Sequence, residues 1–181
     1  MALTSTMRSF DLDLSDTDRG VYETFALRVA QHPSETDEHV VARLLAYALA
    51  FTEDLAFTQG LASSDEPAIE VRDPTGALKL WVDVGLPDAP RLHRASKAAP
   101  RVLVFAHKDP TPWLAQLAGQ KIHRVEQIEA YALDRGLLTQ LAGAMEKRNR
   151  WAVSVSGGQV WVTVGNTTHD GTVTRLSLTA T

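Results

Sequence analysis

Asp65-Glu66-Pro67-Ala68-Ile69-Glu70-Val71-Arg72-Asp73-Pro74-Thr75-Gly76-Ala77-Leu78-Lys79-Leu80-Trp81-Val82-Asp83-Val84-Gly85 reads as a β-hairpin with an acid near each free end. Asp73-Pro74-Thr75-Gly76 has the composition of a four-residue turn, because proline presets φ and glycine accepts a left-handed conformation. With that loop, Arg72 faces Ala77, Glu70 faces Lys79, Ala68 faces Trp81 and Glu66 faces Asp83. Directly opposed residues of an antiparallel pair have Cβ atoms about 5 Å apart, so two carboxylates there repel and call for a cation. A slipped register, or a Glu66 that precedes the strand, leaves both acids solvated instead.

The chain continues through the turn Gly85-Leu86-Pro87-Asp88-Ala89-Pro90 into a helix over 91–99, which Pro100 ends. Between Arg91 and Arg101 stand Arg91, His93, Arg94, Lys97 and Arg101, with no acid among them. Arg101-Val102-Leu103-Val104-Phe105-Ala106 is then a continuous apolar run, the pattern of a strand buried on both faces. Strand, helix and buried strand imply a crossover and a parallel pairing. The fold class is therefore α/β or α+β, with a central mixed sheet flanked by helices.

Upstream, residues 5–13 and 21–31 alternate around the polar turn Ser15-Asp16-Thr17-Asp18, which predicts an antiparallel hairpin, with a short helix over 18–26 as the alternative. His32-Pro33-Ser34-Glu35-Thr36-Asp37 is a helix start, with Ser34 as N-cap and acids in the first turn. The helix runs to about Thr52 with Val40, Val41, Leu44, Leu45, Ala48 and Leu49 inward, while Glu35, His39 and Arg43 line another face at a spacing of four. His32 and His39 lack a third ligand at zinc spacing. Downstream, 110–118 reads as a short helix, 122–133 as one or two strands, and 134–147 as a helix with Leu137, Leu138, Leu141 and Met145 inward. A meander closes the chain, with strands around Trp151-Val155, Val160-Val164 and Thr172-Thr179 and a tight turn at Ser156-Gly157-Gly158-Gln159.

The 181 residues suit a single domain, 1–181, and 44% apolar with 22% charged residues is ordinary globular composition. No cysteine is present, which removes disulfides, thiol nucleophiles and cysteine-ligated metals and suits a reducing, cytoplasmic compartment. Met1-Ala2-Leu3-Thr4 lacks the basic and apolar regions of a signal peptide, and no run is long enough to span a bilayer, so no membrane partner is expected. Eighteen basic against 22 acidic residues give a net charge of −4, unfavourable for indiscriminate nucleic-acid binding. The run from Arg91 to Arg101 acts against that locally, with Arg91, Arg94, Lys97 and Arg101 as the nucleic-acid contacts expected.

His32-Pro33-Ser34-Glu35-Thr36, Arg43-Leu44-Leu45-Ala46-Tyr47, Phe57-Thr58-Gln59-Gly60-Leu61, Asp65-Glu66-Pro67 and Trp81-Val82-Asp83-Val84-Gly85-Leu86-Pro87-Asp88 together resemble the bacterial YaeQ family over essentially the whole chain. The resemblance implies a compact variant of the PD-(D/E)xK nuclease fold, with extra antiparallel strands at both termini. In that superfamily a helix glutamate and acids on two neighbouring strands hold Mg²⁺ or Mn²⁺, and a lysine two residues after the second acid assists the attacking water. The matching positions are Glu35, then Glu66 (or Asp65 under a shifted register), then Asp83; the lysine position holds Gly85. His93, Arg94 and Lys97 are the surrogate cations that the next helix offers, and lysine suits the role better because arginine stays protonated. The resemblance thus implies a metal-dependent nuclease, with Glu66, Asp83 and Asp65 as metal ligands. Its rival is a non-catalytic nucleic-acid- or protein-binding regulator, transcription-linked, on the same fold. A third reading makes Glu66, Asp83, Arg94 and Lys97 a mutually neutralising cluster that fixes helix to sheet.

Overall fold

The computed structural model describes residues 4–58 and 65–179, so the connection expected at Gln59 to Ser64 and the first three residues lie outside it. It is a mixed α+β architecture, with four α-helices among the described residues, none long and apolar enough to cross a membrane. The chain divides into two compact units, Met1–Leu49 with Leu133–Val173, and Ala50–Ala132 with Thr174–Thr181.

In the first unit, β1 (Thr6–Asp16) and β2 (Val21–Gln31) form the expected hairpin, with Phe10 opposite Leu27 and Leu12 opposite Phe25. The inward residues Phe10, Leu12 and Leu14 are at most 2% exposed, which is what the two-residue period requires of a half-buried strand. β1 also pairs in parallel with β8 (Arg148–Ser156), which brings Leu12 beside Trp151. β8, β9 (Gln159–Val164) and β10 (Thr167–Leu176) are antiparallel neighbours, giving the order β2-β1-β8-β9-β10. The expected C-terminal meander is present, its third strand beginning five residues earlier than read. The Gly157-Gly158 turn has φ of 60° and 75°, and the Asp18 carboxylate accepts both of its N–H groups at 2.7 and 3.0 Å.

α1 spans Asp37–Ala50, shorter than expected at its start. Thr36 rather than Ser34 caps it, its Oγ1 accepting the His39 N–H at 3.2 Å, because the Ser34 hydroxyl is bonded to His32 Nδ1 at 2.7 Å. Glu35 therefore precedes the helix. α4 (Arg135–Ala144) is N-capped by Asp134, whose carboxylate accepts the Leu137 N–H at 2.9 Å, and buries Leu137, Leu138 and Leu141. Gly171 on β10 is what admits this helix start: a Cβ there meets the Asp134 Cβ at 2.7 Å and the Leu137 Cβ at 2.9 Å. Neither is the end of a flexible side chain, so Gly171→Ala lowers unfolding free energy by about 2–3 kcal/mol, read as an earlier urea midpoint at unchanged slope.

The second unit has the strand order β7-β6-β5-β4-β3, with β3 (Ala56–Phe57), β4 (Ile69–Arg72), β5 (Leu78–Val84), β6 (Arg101–Ala106) and β7 (Glu129–Leu133). β4 and β5 form the antiparallel hairpin, but its register departs from the one read from sequence. The Asp73 N–H donates to Ala77 O at 2.9 Å, so Ala77 joins the turn, and a bulge between Val71 and Arg72 adds a second step. Glu70 thus faces Trp81 and Ile69 faces Val82, while Glu66 lies before β4, exposed, and is not the cross-strand partner of Asp83.

α2 (Ala89–Ala98) crosses from β5 to β6, which pair in parallel as expected, and β6 pairs in parallel with β7. Asp88 caps α2 by accepting the Arg91 N–H at 2.9 Å, and Pro90 sits in the first turn, where its missing N–H costs nothing. Leu92 and Ala95 of α2 pack with Trp81, Val102, Val104, Trp113 and Ile122 in one buried core. Trp113 and Trp151 are core residues, and α3 (Thr111–Leu117) supplies the former.

Candidate functional site

Asp83, at the penultimate position of β5, is 4% exposed, and both of its carboxylate oxygens are occupied. Arg91 Nε donates to Oδ2 at 2.7 Å and Arg91 Nη2 to Oδ1 at 2.8 Å, a forked pair that joins the first turn of α2 to the sheet. The same Nη2 donates to Glu66 O at 2.8 Å, and the guanidinium carbon lies 5.3 Å from the Trp81 ring centre. Arg91 thereby ties helix, strand and the segment ahead of β4 together. Of the two acids in that segment, Asp65 acts electrostatically on Arg91 and Glu66 on Arg72.

Glu35 belongs to the first unit and forms a separate forked pair. Its side chain is 1% exposed; Oε2 accepts from Arg43 Nε at 2.7 Å and Oε1 from Arg43 Nη2 at 2.8 Å. His39 Nδ1 bonds Oε2 at 2.5 Å, and the His32 N–H reaches Oε1 at 3.3 Å. Burial pushes the Glu35 carboxyl up, but the hydrogen bonds and charges of His39 and Arg43 outweigh it and hold the group below the usual carboxylate range. The spacing of four that aligned Glu35, His39 and Arg43 in the sequence thus marks a bonded set.

Each acid that the resemblance assigns to a metal is accounted for differently: Asp83 and Glu35 are neutralised by arginines, and Asp65 and Glu66 are exposed. Among the described residues no three His, Asp or Glu side chains are grouped to hold a metal ion, so this arrangement does not fit Mg²⁺ or Mn²⁺ as it stands. Gly85, where the superfamily carries lysine, has φ of 133°, a conformation that side-chain-bearing residues rarely adopt. A lysine in that backbone conformation is strained, whatever space surrounds it.

Of the expected nucleic-acid contacts, Arg91 is bound to Asp83, and Arg101 is bound to Glu129 at 2.7 Å. Arg94 and Lys97 are exposed on α2. A group that the sequence reading missed stands beside them: the His123 N–H donates to His93 Nδ1 at 3.1 Å, and the charges of Lys97, His123 and Lys121 all act on the His93 imidazole. The signal was present as Lys121-Ile122-His123-Arg124, basic residues around one buried isoleucine.

A family model described as YaeQ protein matches residues 1–173. An uncharacterized YaeQ protein of Salmonella typhi is 32% identical over 164 residues, 90% of each chain. The crystal structure of YaeQ from Pseudomonas syringae superposes with a TM-score of 0.85 at 35% identity, covering 95% of this chain and 96% of that one. The YaeQ structure from Xanthomonas axonopodis pv. citri gives 0.85 at 31% identity, covering 95% and 98%. With a family match over nearly its full length and relatives on both sequence and structure, the chain belongs to the YaeQ family.

Proposed function

We propose that the chain binds a nucleic-acid backbone through the cationic side of α2, as a binding module on this fold. One observation carries the reading: Arg91 takes both oxygens of Asp83, while the remaining cations of the same helix stay exposed in a stretch without acids. The carboxylate serves to anchor the helix, and the helix presents charge. Phosphate contacts of this kind release counterions, so their signature is salt dependence rather than sequence preference. Fluorescence anisotropy with short single- and double-stranded oligonucleotides tests it. Binding persists in EDTA, and Arg94→Glu with Lys97→Glu flattens the slope of log affinity against log salt by about two. Unchanged binding in that double variant sinks the reading.

Metal-dependent phosphodiester hydrolysis is the second reading, supported by the position of Asp83 at the end of a strand that α2 links to its parallel neighbour. It requires Arg91 to leave Asp83. The same oligonucleotides decide it, since cleavage that appears with Mn²⁺ or Mg²⁺ and stops in EDTA belongs to this reading alone.

A further inference from the structure

We infer that His93, Lys97, Lys121 and His123 form a seat for one phosphate group, on the second unit. The seat rests on the proposed binding to nucleic acid for its biological partner, and on its own geometry for its existence.

Two elements build it. On α2, His93 and Lys97 are four residues apart and share a face. Opposite them runs the segment after α3, pinned by Ile122, which is 7% exposed and packs into the core with Leu92 and Ala95. Burying Ile122 leaves its neighbours Lys121 and His123 on the outer side. Two hydrogen bonds hold the segment against α2: Ser96 Oγ–H donates to His123 O at 2.5 Å, and the His123 N–H donates to His93 Nδ1. The imidazole rings stand edge to face, 6.2 Å apart.

That second bond fixes chemistry as well as position. A ring nitrogen that accepts a backbone N–H carries no proton, so His93 is neutral with its proton on Nε2, a ready donor. Loss of solvent and then the charges of Lys97, His123 and Lys121 disfavour its protonated form. Two lysines whose charges both reach this imidazole, beside a neutral N–H donor, suit a phosphate group with several acceptor oxygens.

The cluster lacks the usual counterweight. Among the described residues no ion pair joins any of the four to a carboxylate, and no acid is among the groups that shift His93. Arg124 follows at once with φ of 48°, a left-handed conformation uncommon outside glycine and asparagine.

The test is a titration of inorganic phosphate into the full chain near pH 7, against chloride at matched ionic strength, following the imidazole signals by NMR. His93 and His123 shift saturably, and Lys97→Gln with Lys121→Gln weakens that binding by about tenfold or more, while Lys108→Gln leaves it unchanged. Linear, unsaturable shifts, or shifts indifferent to the two lysines, overturn the seat. The same variants are run against a short oligonucleotide. Saturable phosphate binding with no oligonucleotide binding supports the seat and overturns the nucleic-acid reading; oligonucleotide binding that depends on Arg94 and Lys97 but not on Lys121, without phosphate shifts, does the reverse.

Discussion

Glu35→Ala lowers the unfolding free energy by about 3–5 kcal/mol, a large share of what a domain of this size has. The carboxylate is almost fully buried and neutralises Arg43, which is itself only 8% exposed. Arg43 Nη2 also donates to Ala30 O at 2.8 Å, so the guanidinium links α1 to the end of β2, and Glu35 fixes the intervening turn onto both. Alanine takes the Glu35 counter-charge away from a buried cation. Glu35→Gln keeps the shape and one of the two acceptor oxygens and costs less. Urea titration of the three proteins reads the order directly, and a Glu35→Ala midpoint within error of wild type removes the pair as a structural lock.

The same carboxylate sets a pH dependence. Its folded pKa is below its ordinary value of 4.5, so the unfolded chain binds the proton more readily. The contribution is fully present above that ordinary value and is lost as pH falls through the folded pKa. Melting temperatures from pH 7 downward therefore show wild type losing its advantage over Glu35→Gln only in acid, below about pH 4.5.

Both locks were half visible in the sequence. Glu35 and Asp83 stood out as acids in defined settings, and the elements around them followed from local signals: the period of β1 and β2, the continuous apolar run of β6, and Pro90 ahead of Arg91. Their partners did not stand out. Arg91 is eight residues from Asp83 across a turn and a cap, and it reads as a surface cation until the fork is seen. The register of β4 on β5 shifted because Ala77 entered the turn and a bulge followed, two local choices that residue types do not dictate. The pairing of β1 with β8 joins segments about 140 residues apart, beyond any periodicity argument, and the contact of His123 with His93 is likewise a product of packing around Ile122.

Asp83→Ala is expected to destabilise the chain by about 3–5 kcal/mol, and Arg91→Ala by a similar amount. The two side chains are 5% and 16% exposed, and the fork is their main neutralisation. Arg91→Ala also loses the contact with the Trp81 ring and the bond to Glu66 O, so it releases the segment ahead of β4 as well as the helix. A double-mutant cycle separates pair from site. Asp83→Leu with Arg91→Met replaces a buried ion pair by apolar groups of similar size, a change that is often neutral or stabilising, and it recovers most of the stability either alanine removes. Recovery identifies the pair as an anchor, and any loss of oligonucleotide binding in Asp83→Ala is then a consequence of a loosened α2. If instead Asp83→Ala melts at or above the wild-type temperature, the carboxylate is held in place at a cost to the fold. That is the mark of a residue kept for chemistry, and metal-dependent cleavage becomes the reading to pursue.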